Sequence, residues 1–190
     1  MTGRGGSTST PLFPTLESMF DLLIRNGTVV DGTGADRRVA DVAITEGVIV
    51  AIGESLEGDA HEVIDAAGRL LTPGFVDVHT HYDGQVTWDD LLEPSSLHGV
   101  TTLLMGNCGV GFAPVRPGSE EWLIQLMEGV EDIPGAALSE GIAWEWETFP
   151  EYLDALDKRR WSVDIGTQVA HGPVRAYVMG ERGARNEPAS

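Results

Sequence analysis

The pattern of apolar runs along the chain changes at Pro73, and this change limits the folds that the chain can adopt. Before Pro73, short β-rich runs are separated by Gly and Asp, and Val42 and Ile44 follow the period of two of a half-buried strand. After Pro73, strand-like runs alternate with helix-like runs, which is the order of a parallel sheet with helical connections. The sequence therefore predicts an α/β fold in which a small β unit precedes a parallel sheet or barrel.

The N-terminal β unit is predicted over residues 20–72. Its strands are expected at Asp21–Arg25, Val39–Thr45, Val48–Ile52 and Glu62–Asp65. Glu46-Gly47 lies between two of these runs and predicts a two-residue hairpin turn. Residues 1–19 are rich in Gly, Ser, Thr and Pro and lack the apolar segment of a signal peptide, so we expect a disordered N-terminal extension there.

The second region, residues 73–190, is predicted to contain three parallel strands. Strands are expected at Phe75–Thr80, Val100–Met105 and Val163–Val169, and helices at Asp89–His98, Glu120–Val130 and Thr148–Lys158. The second of these helices belongs to an insertion, residues 109–147. Thr148 and Glu151 predict a capping box, and Gly99 is placed to end the first helix in a left-handed conformation.

Composition and charge exclude several classes of function. The formal net charge of −18 argues against a nucleic-acid partner, because a phosphate backbone selects for clustered Lys and Arg. No apolar run approaches the roughly 18 residues of a membrane span, so we expect no membrane partner. Cys108 is the single cysteine, which rules out an intrachain disulfide and fits a reducing compartment, so a cytoplasmic location is expected.

Two histidines occupy alternate positions at the end of a predicted strand, in Asp77-Val78-His79-Thr80-His81. Because residues i and i+2 of a strand point to the same face, both imidazoles should project together at the carboxyl end, where α/β proteins build their sites. Neutral imidazoles are good ligands for Zn²⁺. From these residues alone, the alternative is a polar pair that caps the strand or joins a surface network.

Further polar residues follow the next two predicted strands. Cys108 lies in Gly106-Asn107-Cys108-Gly109, where a thiolate would face the same mouth as the two histidines. On these residues alone the preferred interpretation is a small buried hydrophobic residue, because most free cysteines behave in that way. His171 is predicted to end the third strand, and either a role near a substrate or the ordering of a loop fits it.

Taken together, the motifs resemble those of the amidohydrolase superfamily. The segments that resemble the opening of these enzymes are Phe20–Gly27, Val30–Gly34 and Leu71–His81, the last of which carries the His-x-His of the superfamily. The closer resemblance is to the N-acyl-D-amino-acid deacylases, or D-aminoacylases. It rests on Tyr82-Asp83, Gly106–Gly109, Trp146–Leu156 and His171–Arg175.

This resemblance implies a composite fold, in which a (β/α)8 TIM barrel lies beside a small β-sandwich formed from both ends of the chain. Residues 20–72 would be the first part of the sandwich, and residues 73–190 would be the first three β/α units of the barrel. The fold would then be incomplete in this chain. The family's two further histidine ligands, its catalytic aspartate and its carboxylate-binding residues come from later strands.

The resemblance also implies a zinc cofactor and a set of site residues. Cys108 matches the family's cysteine ligand, and His79 and His81 match the pair that lines a second, weaker metal position. With this resemblance, the interpretation of Cys108 as a metal ligand is preferred to its interpretation as a small buried core residue. The remaining candidates, for substrate contact or for support of the ligands, are Asp83, Asn107 and His171.

The activity that the resemblance implies is zinc-dependent hydrolysis of the amide bond of an N-acyl-D-amino acid, a small-molecule substrate. Because three strands cannot close a barrel and the last one would present an unpaired edge, we expect the 190 residues alone to be poorly folded. We also expect them to be inactive, since later strands would supply the catalytic aspartate. One alternative is a cyclic amide hydrolase of the hydantoinase or dihydroorotase kind, which usually bridges two metals with a modified lysine and has no cysteine ligand. The other is a non-catalytic remnant.

Overall fold

The computed structural model describes residues 19–185 and 187–189, so the disordered extension predicted for residues 1–19 lies, except for Met19, outside the described residues. The chain divides into two compact units, Met1–Pro73 and Gly74–Ser190. Over the described part of the chain, no helix has the length and apolar character needed to cross a membrane.

The first unit is an all-β sheet, as the sequence predicts. Its strands are β1 (Phe20–Val29), β2 (Arg38–Thr45), β3 (Val48–Gly53), β4 (Ala60–Asp65) and β5 (Leu70–Leu71). The sheet has the order β3-β2-β1-β4, and the short β5 also pairs with β1. β2 runs antiparallel to β1 and β3, whereas β4 and β5 run parallel to β1. The four predicted strands are confirmed, and β5 is an addition.

The hairpin predicted at Glu46-Gly47 is confirmed and joins β2 to β3. Both residues have positive φ, 52° at Glu46 and 74° at Gly47. A turn with two positive φ angles matches the right-handed twist of the strands on either side, and glycine adopts such an angle without steric cost. Asp21 holds the turn, because its Oδ2 accepts a hydrogen bond of 2.6 Å from the backbone N–H of Glu46.

A buried carboxylate, Asp41, joins three parts of this unit. Its side chain accepts hydrogen bonds from the backbone N–H of Asn26 at 2.9 Å and of Leu56 at 3.1 Å, and Arg25 lies 3.2 Å away. Burial raises the pKa of Asp41, but the two backbone hydrogen bonds and the charge of Arg25 outweigh it, so its pKa lies below the ordinary value. The ionised form of Asp41 therefore stabilises the folded unit.

The second unit contains a three-stranded parallel sheet. Its strands are β6 (Phe75–Thr80), β7 (Val100–Met105) and β8 (Asp164–Thr167), in the order β6-β7-β8. Its helices are α1 (Glu120–Glu131), α2 (Gly135–Gly141), α3 (Phe149–Asp157), α4 (His171–Met179) and α5 (Glu181–Ala184). The predicted parallel arrangement is confirmed, and β6 and β7 have the predicted bounds.

The helix predicted at Asp89–His98 is wrong over most of its length. Only a short 3₁₀ turn forms, at Ser96–His98, and Gly99 ends it with φ 84°, in the left-handed conformation that was predicted. Pro94 lies inside the predicted helix, where it lacks the backbone N–H that a helix needs and disfavours helical geometry at the residue before it. The first predicted β/α unit therefore has no α-helix between its strand and the next.

The third predicted strand is also shorter than expected. Val163–Val169 was predicted, whereas β8 covers Asp164–Thr167 and His171 begins helix α4 instead of ending the strand. Pro173 lies in the first turn of that helix, where the missing N–H of proline costs no hydrogen bond. The strand therefore ends four residues before His171, and a three-residue connection lies between them.

Helix α3 forms where the sequence predicts a helix, and it connects the core to the segment after the two histidines. Thr148 and Glu151 form the predicted capping box, in which Glu151 Oε2 accepts a 2.8 Å hydrogen bond from the backbone N–H of Thr148. Tyr152 is almost fully buried in the main core cluster, and its hydroxyl donates a 2.9 Å hydrogen bond to the backbone oxygen of Asp83. Packing of α3 therefore helps to hold the chain just after His81.

We expect Asp41→Asn to destabilise the first unit by about 1–3 kcal/mol at pH 7. The backbone N–H groups of Asn26 and Leu56 bond to different oxygens of the carboxylate, and an amide offers only one oxygen acceptor. Since the folded-state pKa is depressed, this stabilisation is complete above the unfolded-state pKa of about 3.9 and is lost as pH falls through the folded-state value. The difference between the variant and the original protein should therefore shrink in acid.

Backbone hydrogen exchange in β1 and β2 is the appropriate measurement, because all five tryptophans lie beyond residue 73. Asp36→Asn, at an exposed position, is the matched control and should leave the exchange rates unchanged. Equal protection in the two variants at pH 7 would contradict the role given to Asp41.

Candidate metal centre

The His-x-His motif lies at the carboxyl end of β6. Thr80 is the last residue of the strand, and its buried hydroxyl donates a 2.7 Å hydrogen bond to the backbone oxygen of Leu104 in β7. His79 and His81 lie on either side of it, with ring centroids 5.4 Å apart and ring planes tilted by 47°. The anchored threonine therefore directs both imidazoles to the same side of the strand end.

The Gly106–Gly109 loop follows β7 directly, and its backbone conformation requires glycine. Gly106 has φ 84°, and a Cβ there would lie 2.3 Å from the backbone oxygen of Gln168. No other residue could adopt this angle at so close an approach without displacing the neighbouring segment. The side-chain amide of Asn107 donates to the backbone oxygen of Val78, which joins the loop to β6.

These two strand ends bring His79, His81 and Cys108 together. One ligand atom from each residue lies within 4.8 Å of the others, the only such group of three in the part of the chain that the structure describes. Cys108 is exposed, so it is not the buried core residue that its own sequence context favours. Ligands of a tetrahedral ion lie roughly 3.3–3.8 Å apart, given ordinary zinc bond lengths, so the side chains must draw closer to bind one.

The chemistry of this donor set fits zinc. Two imidazoles and a thiolate are ligands of the type that this borderline-soft ion prefers, and all three come from strand-end segments that the fold holds in place. Because His79 and Cys108 are exposed, their side chains can rotate toward an ion without unpacking the core.

The other candidate residues lie close to this group. His171 is exposed at the start of α4, with its Cβ 3.7 Å from the position that a Cβ on Gly109 would occupy. The next residue, Gly172, donates a 2.7 Å backbone hydrogen bond to the oxygen of Gly109. Asn107 is exposed, but its amide is already bonded to the β6 backbone. Contact of His171 or Asn107 with a substrate stays a prediction.

Asp83 is buried beside the group, with a side chain that is only 3% exposed and an Oδ2 atom without a hydrogen-bond partner. Burial raises its pKa to about 7, and the negative charge of Glu131 adds to the rise. Hydrogen bonds from its own backbone N–H and from that of Gly106 act in the opposite direction and lower the pKa. Its burial favours a role in supporting the strand end over direct contact with a substrate.

Glu131 is a neighbour of the site that the sequence does not indicate. Its Oε2 lies 3.3 Å from Nε2 of His81, while Nδ1 of the same histidine is buried without a partner. Glu131 is the last residue of α1, and it is one of 30 acidic residues in the chain. No local motif surrounds it, so only the packing of α1 brings it to the site.

Comparison with known proteins gives a consistent set of relatives. The model of the Amidohydrolase family matches residues 62–190. The D-aminoacylase of Alcaligenes xylosoxydans xylosoxydans is 34% identical over 160 residues, which cover 84% of this chain and 31% of the relative. The chain thus spans about a third of the length of this relative.

Two solved structures are similar in both sequence and shape. The first is a D-aminoacylase, and its structure concerns the functional role of a binuclear metal center, with one-metal activation and second-metal attenuation. It has a TM-score of 0.69 and 35% identity, covering 85% of this chain and 32% of its own. An N-acyl-D-glutamate deacylase from Bordetella bronchiseptica, complexed with zinc and a phosphonate inhibitor that mimics the tetrahedral intermediate, has a TM-score of 0.65 and 33% identity, covering 86% of this chain and 32% of its own.

A pair of glycine variants tests whether the close backbone approach shapes the site. Gly106→Ala and Gly118→Ala both place a side chain at left-handed φ angles, 84° and 85°, which costs about 1–2 kcal/mol. Only at Gly106 would the added methyl overlap a backbone oxygen, since nothing lies within 4 Å of such a methyl at Gly118. We expect Gly106→Ala to lower the free energy of unfolding clearly more, as measured by urea denaturation followed by tryptophan fluorescence. Equal losses would show that the approach to Gln168 is not required.

Proposed function

The chain belongs to the amidohydrolase family, and from this premise we propose that it carries the zinc-ligating part of an N-acyl-D-amino-acid deacylase. The reaction is hydrolysis of the amide bond of an N-acyl-D-amino acid, which yields the free amino acid and a carboxylate. The observation that carries the proposal is the convergence of His79, His81 and Cys108 within 4.8 Å at the ends of two adjacent strands.

The relatives support this choice of substrate class. The similar proteins are a D-aminoacylase and an N-acyl-D-glutamate deacylase, and both act on the D-configured class that their names give. The second was solved with zinc and with a mimic of a tetrahedral intermediate, which is the intermediate of amide hydrolysis. Since the chain spans about a third of each, the activity is proposed for the whole protein.

We also propose that β6, β7 and β8 are the first three strands of a (β/α)8 barrel and that β1–β5 form part of a small β-sandwich. Two features support the barrel. The three strands are parallel and adjacent in chain order, as barrel strands are, and the candidate ligands lie at the carboxyl ends of β6 and β7. TIM barrels build their active sites at that face, so later strands would bring further ligands to the same mouth.

Within this site, the chain's own residues would bind and position the metal. His79 and His81 would bind as neutral imidazoles and Cys108 as a thiolate, which are the protonation states that ligation requires. Thr80 and Asn107 hold the two strand ends together and so limit the space in which the donors move. Zinc bound there supplies a Lewis acid that polarises the amide carbonyl and lowers the pKa of water.

Proton transfer to the leaving nitrogen is assigned to an aspartate outside these residues, acting as general base and then general acid. In this chain we assign only metal ligands and their supports. Cyclic amide hydrolysis is the nearest alternative chemistry. The position of Cys108 in the donor group argues against it, because the hydantoinase and dihydroorotase kind does not use a cysteine ligand.

Zinc content tests the ligand assignment. After metal removal and reconstitution, we expect Cys108→Ala and His81→Ala each to lower zinc affinity by at least about tenfold, because each removes one of three donors. His98→Ala, which removes an exposed histidine from the 3₁₀ turn, is the matched control and should bind zinc as the original protein does. A Cys108→Ala variant that retains full zinc affinity would show that the assignment is wrong.

Parallel assays of the whole protein test the reaction. We expect turnover of N-acetyl-D-amino acids, with little for the L enantiomers or for hydantoins, and loss of turnover when zinc is removed. Turnover of hydantoins in preference to the linear amides would favour the cyclic amide hydrolase. A zinc-loaded protein that turns over neither class would favour the non-catalytic remnant.

A further inference from the structure

We propose that a cavity beside helix α1 binds a small organic carboxylate with an apolar body, and that the guanidinium of Arg116 holds its charge. The cavity is lined by the segment before α1 and by residues of α1, α4 and α5. Its volume is about 390 Å³, within the range of roughly 300–1,000 Å³ that is usual for ligand pockets. None of the described residues that line it is a candidate metal ligand, so the proposal adds a second site and does not rest on the proposed reaction.

Most of the cavity wall is apolar, which favours a ligand with an apolar body. The apolar side chains that line it come from all four segments and include Pro114, Trp122, Leu123, Ala176 and Ala184. Leu123 is buried in the main core cluster, and Trp122 packs against the same cluster. This part of the wall is therefore fixed, and an apolar group placed against it would be removed from water.

Several contacts hold Arg116 at the cavity wall. Its guanidinium carbon lies 5.4 Å from the centroid of the Tyr177 ring, which also lines the cavity. The hydroxyl of Tyr177 donates a 2.8 Å hydrogen bond to Oε1 of Glu147, so the ring is fixed in turn. Backbone hydrogen bonds hold the segment around Arg116, from Val115 to the oxygen of Glu147 at 2.7 Å and from Ser119 to the oxygen of Arg116 at 2.9 Å. A guanidinium that is already oriented lowers the entropy cost of binding.

The charged side chains of the cavity wall favour an anion. Among the described residues, Arg116 takes part in none of the ion pairs that the structure forms. Glu181 also lines the cavity, but Arg185 compensates its charge at 2.6 Å. The other carboxylate, Glu121, accepts a 3.0 Å hydrogen bond from Gln125 and lies in the first turn of α1, where the helix dipole stabilises a negative charge. Arg116 therefore offers an uncompensated charge to a ligand.

A carboxylate is the anion that matches this arrangement best. The planar guanidinium of arginine can bind a carboxylate through two parallel N–H···O hydrogen bonds. A phosphate monoester would carry nearly two negative charges, and its second charge would face Glu121 and Glu181. The ligand class is therefore a monocarboxylate with an aromatic or short aliphatic body. The carboxylate that the proposed hydrolysis releases from its acyl group belongs to this class.

Three ligands with nearly the same body test the proposal on the whole protein. Phenylacetate carries a carboxylate, phenylacetamide a neutral amide and phenethylamine an ammonium group. The protein is labelled with 5-fluorotryptophan, and fluorine NMR follows Trp122, whose signal is identified by its loss in Trp122→Phe. We expect phenylacetate to shift this signal to saturation and to bind on the order of tenfold more tightly than the other two ligands. Removal of zinc should leave this affinity unchanged, because no candidate metal ligand lines the cavity.

A change at Arg116 separates the loss of its charge from a distorted cavity. Arg116→Gln should bind phenylacetate on the order of tenfold more weakly and phenylacetamide as the original protein does. A distorted cavity would weaken the binding of both ligands. Arg160→Gln makes the same change of charge at an exposed arginine just before β8, outside the cavity, and is the matched control. It should bind all three ligands as the original protein does.

Three outcomes would overturn the proposal. The first is a Trp122 signal that none of the ligands shifts. The second is tighter binding of phenethylamine than of phenylacetate, which would show that the carboxylates of the wall determine the ligand. The third is an Arg116→Gln variant that still prefers phenylacetate to phenylacetamide as the original protein does, or that loses affinity for both equally. Each of these outcomes leaves the zinc site intact, because zinc content is measured independently of them.

Discussion

The parallel pairing of β6 with β7 is the contact on which the candidate site depends. Thr80 pairs with Met105 at the end of both strands, so the segments that follow each strand leave the sheet at the same edge. The hydroxyl of Thr80 and the amide of Asn107 add two links between the strand ends. Residues that are 27 positions apart, His81 and Cys108, can therefore act as one group of donors.

The sequence predicts well the elements whose ends carry a local signal. β6 follows Pro73-Gly74, Gly106 follows the last residue of β7, and α3 begins with its capping box, so each boundary has a residue that explains it. The helix expected at Asp89–His98 fails because Pro94 lies inside it, which lacks the backbone N–H of a helix and disfavours helical geometry at Glu93. This failure could have been read from the sequence, because the signal is local.

In the candidate site, too, some features can be predicted from the sequence and others need the structure. The approach of His79 and His81 to Cys108 follows from strand ends that the sequence indicates, although their role as ligands stays a prediction. The proximity of Glu131 depends on the packing of an insertion helix, and no spacing in the sequence encodes it. Local patterns thus indicate donors on strands, whereas a neighbour brought by tertiary packing needs the structure.

The central claim is that Cys108 binds the metal together with histidines from β6. X-ray absorption at the zinc edge of the loaded protein tests it most directly, because sulfur is distinguished from nitrogen and oxygen by its bond length. We predict one sulfur at about 2.3 Å with the remaining ligands at about 2.0–2.2 Å. A shell of nitrogen and oxygen alone would contradict the account, because Cys108 is the only cysteine in the chain.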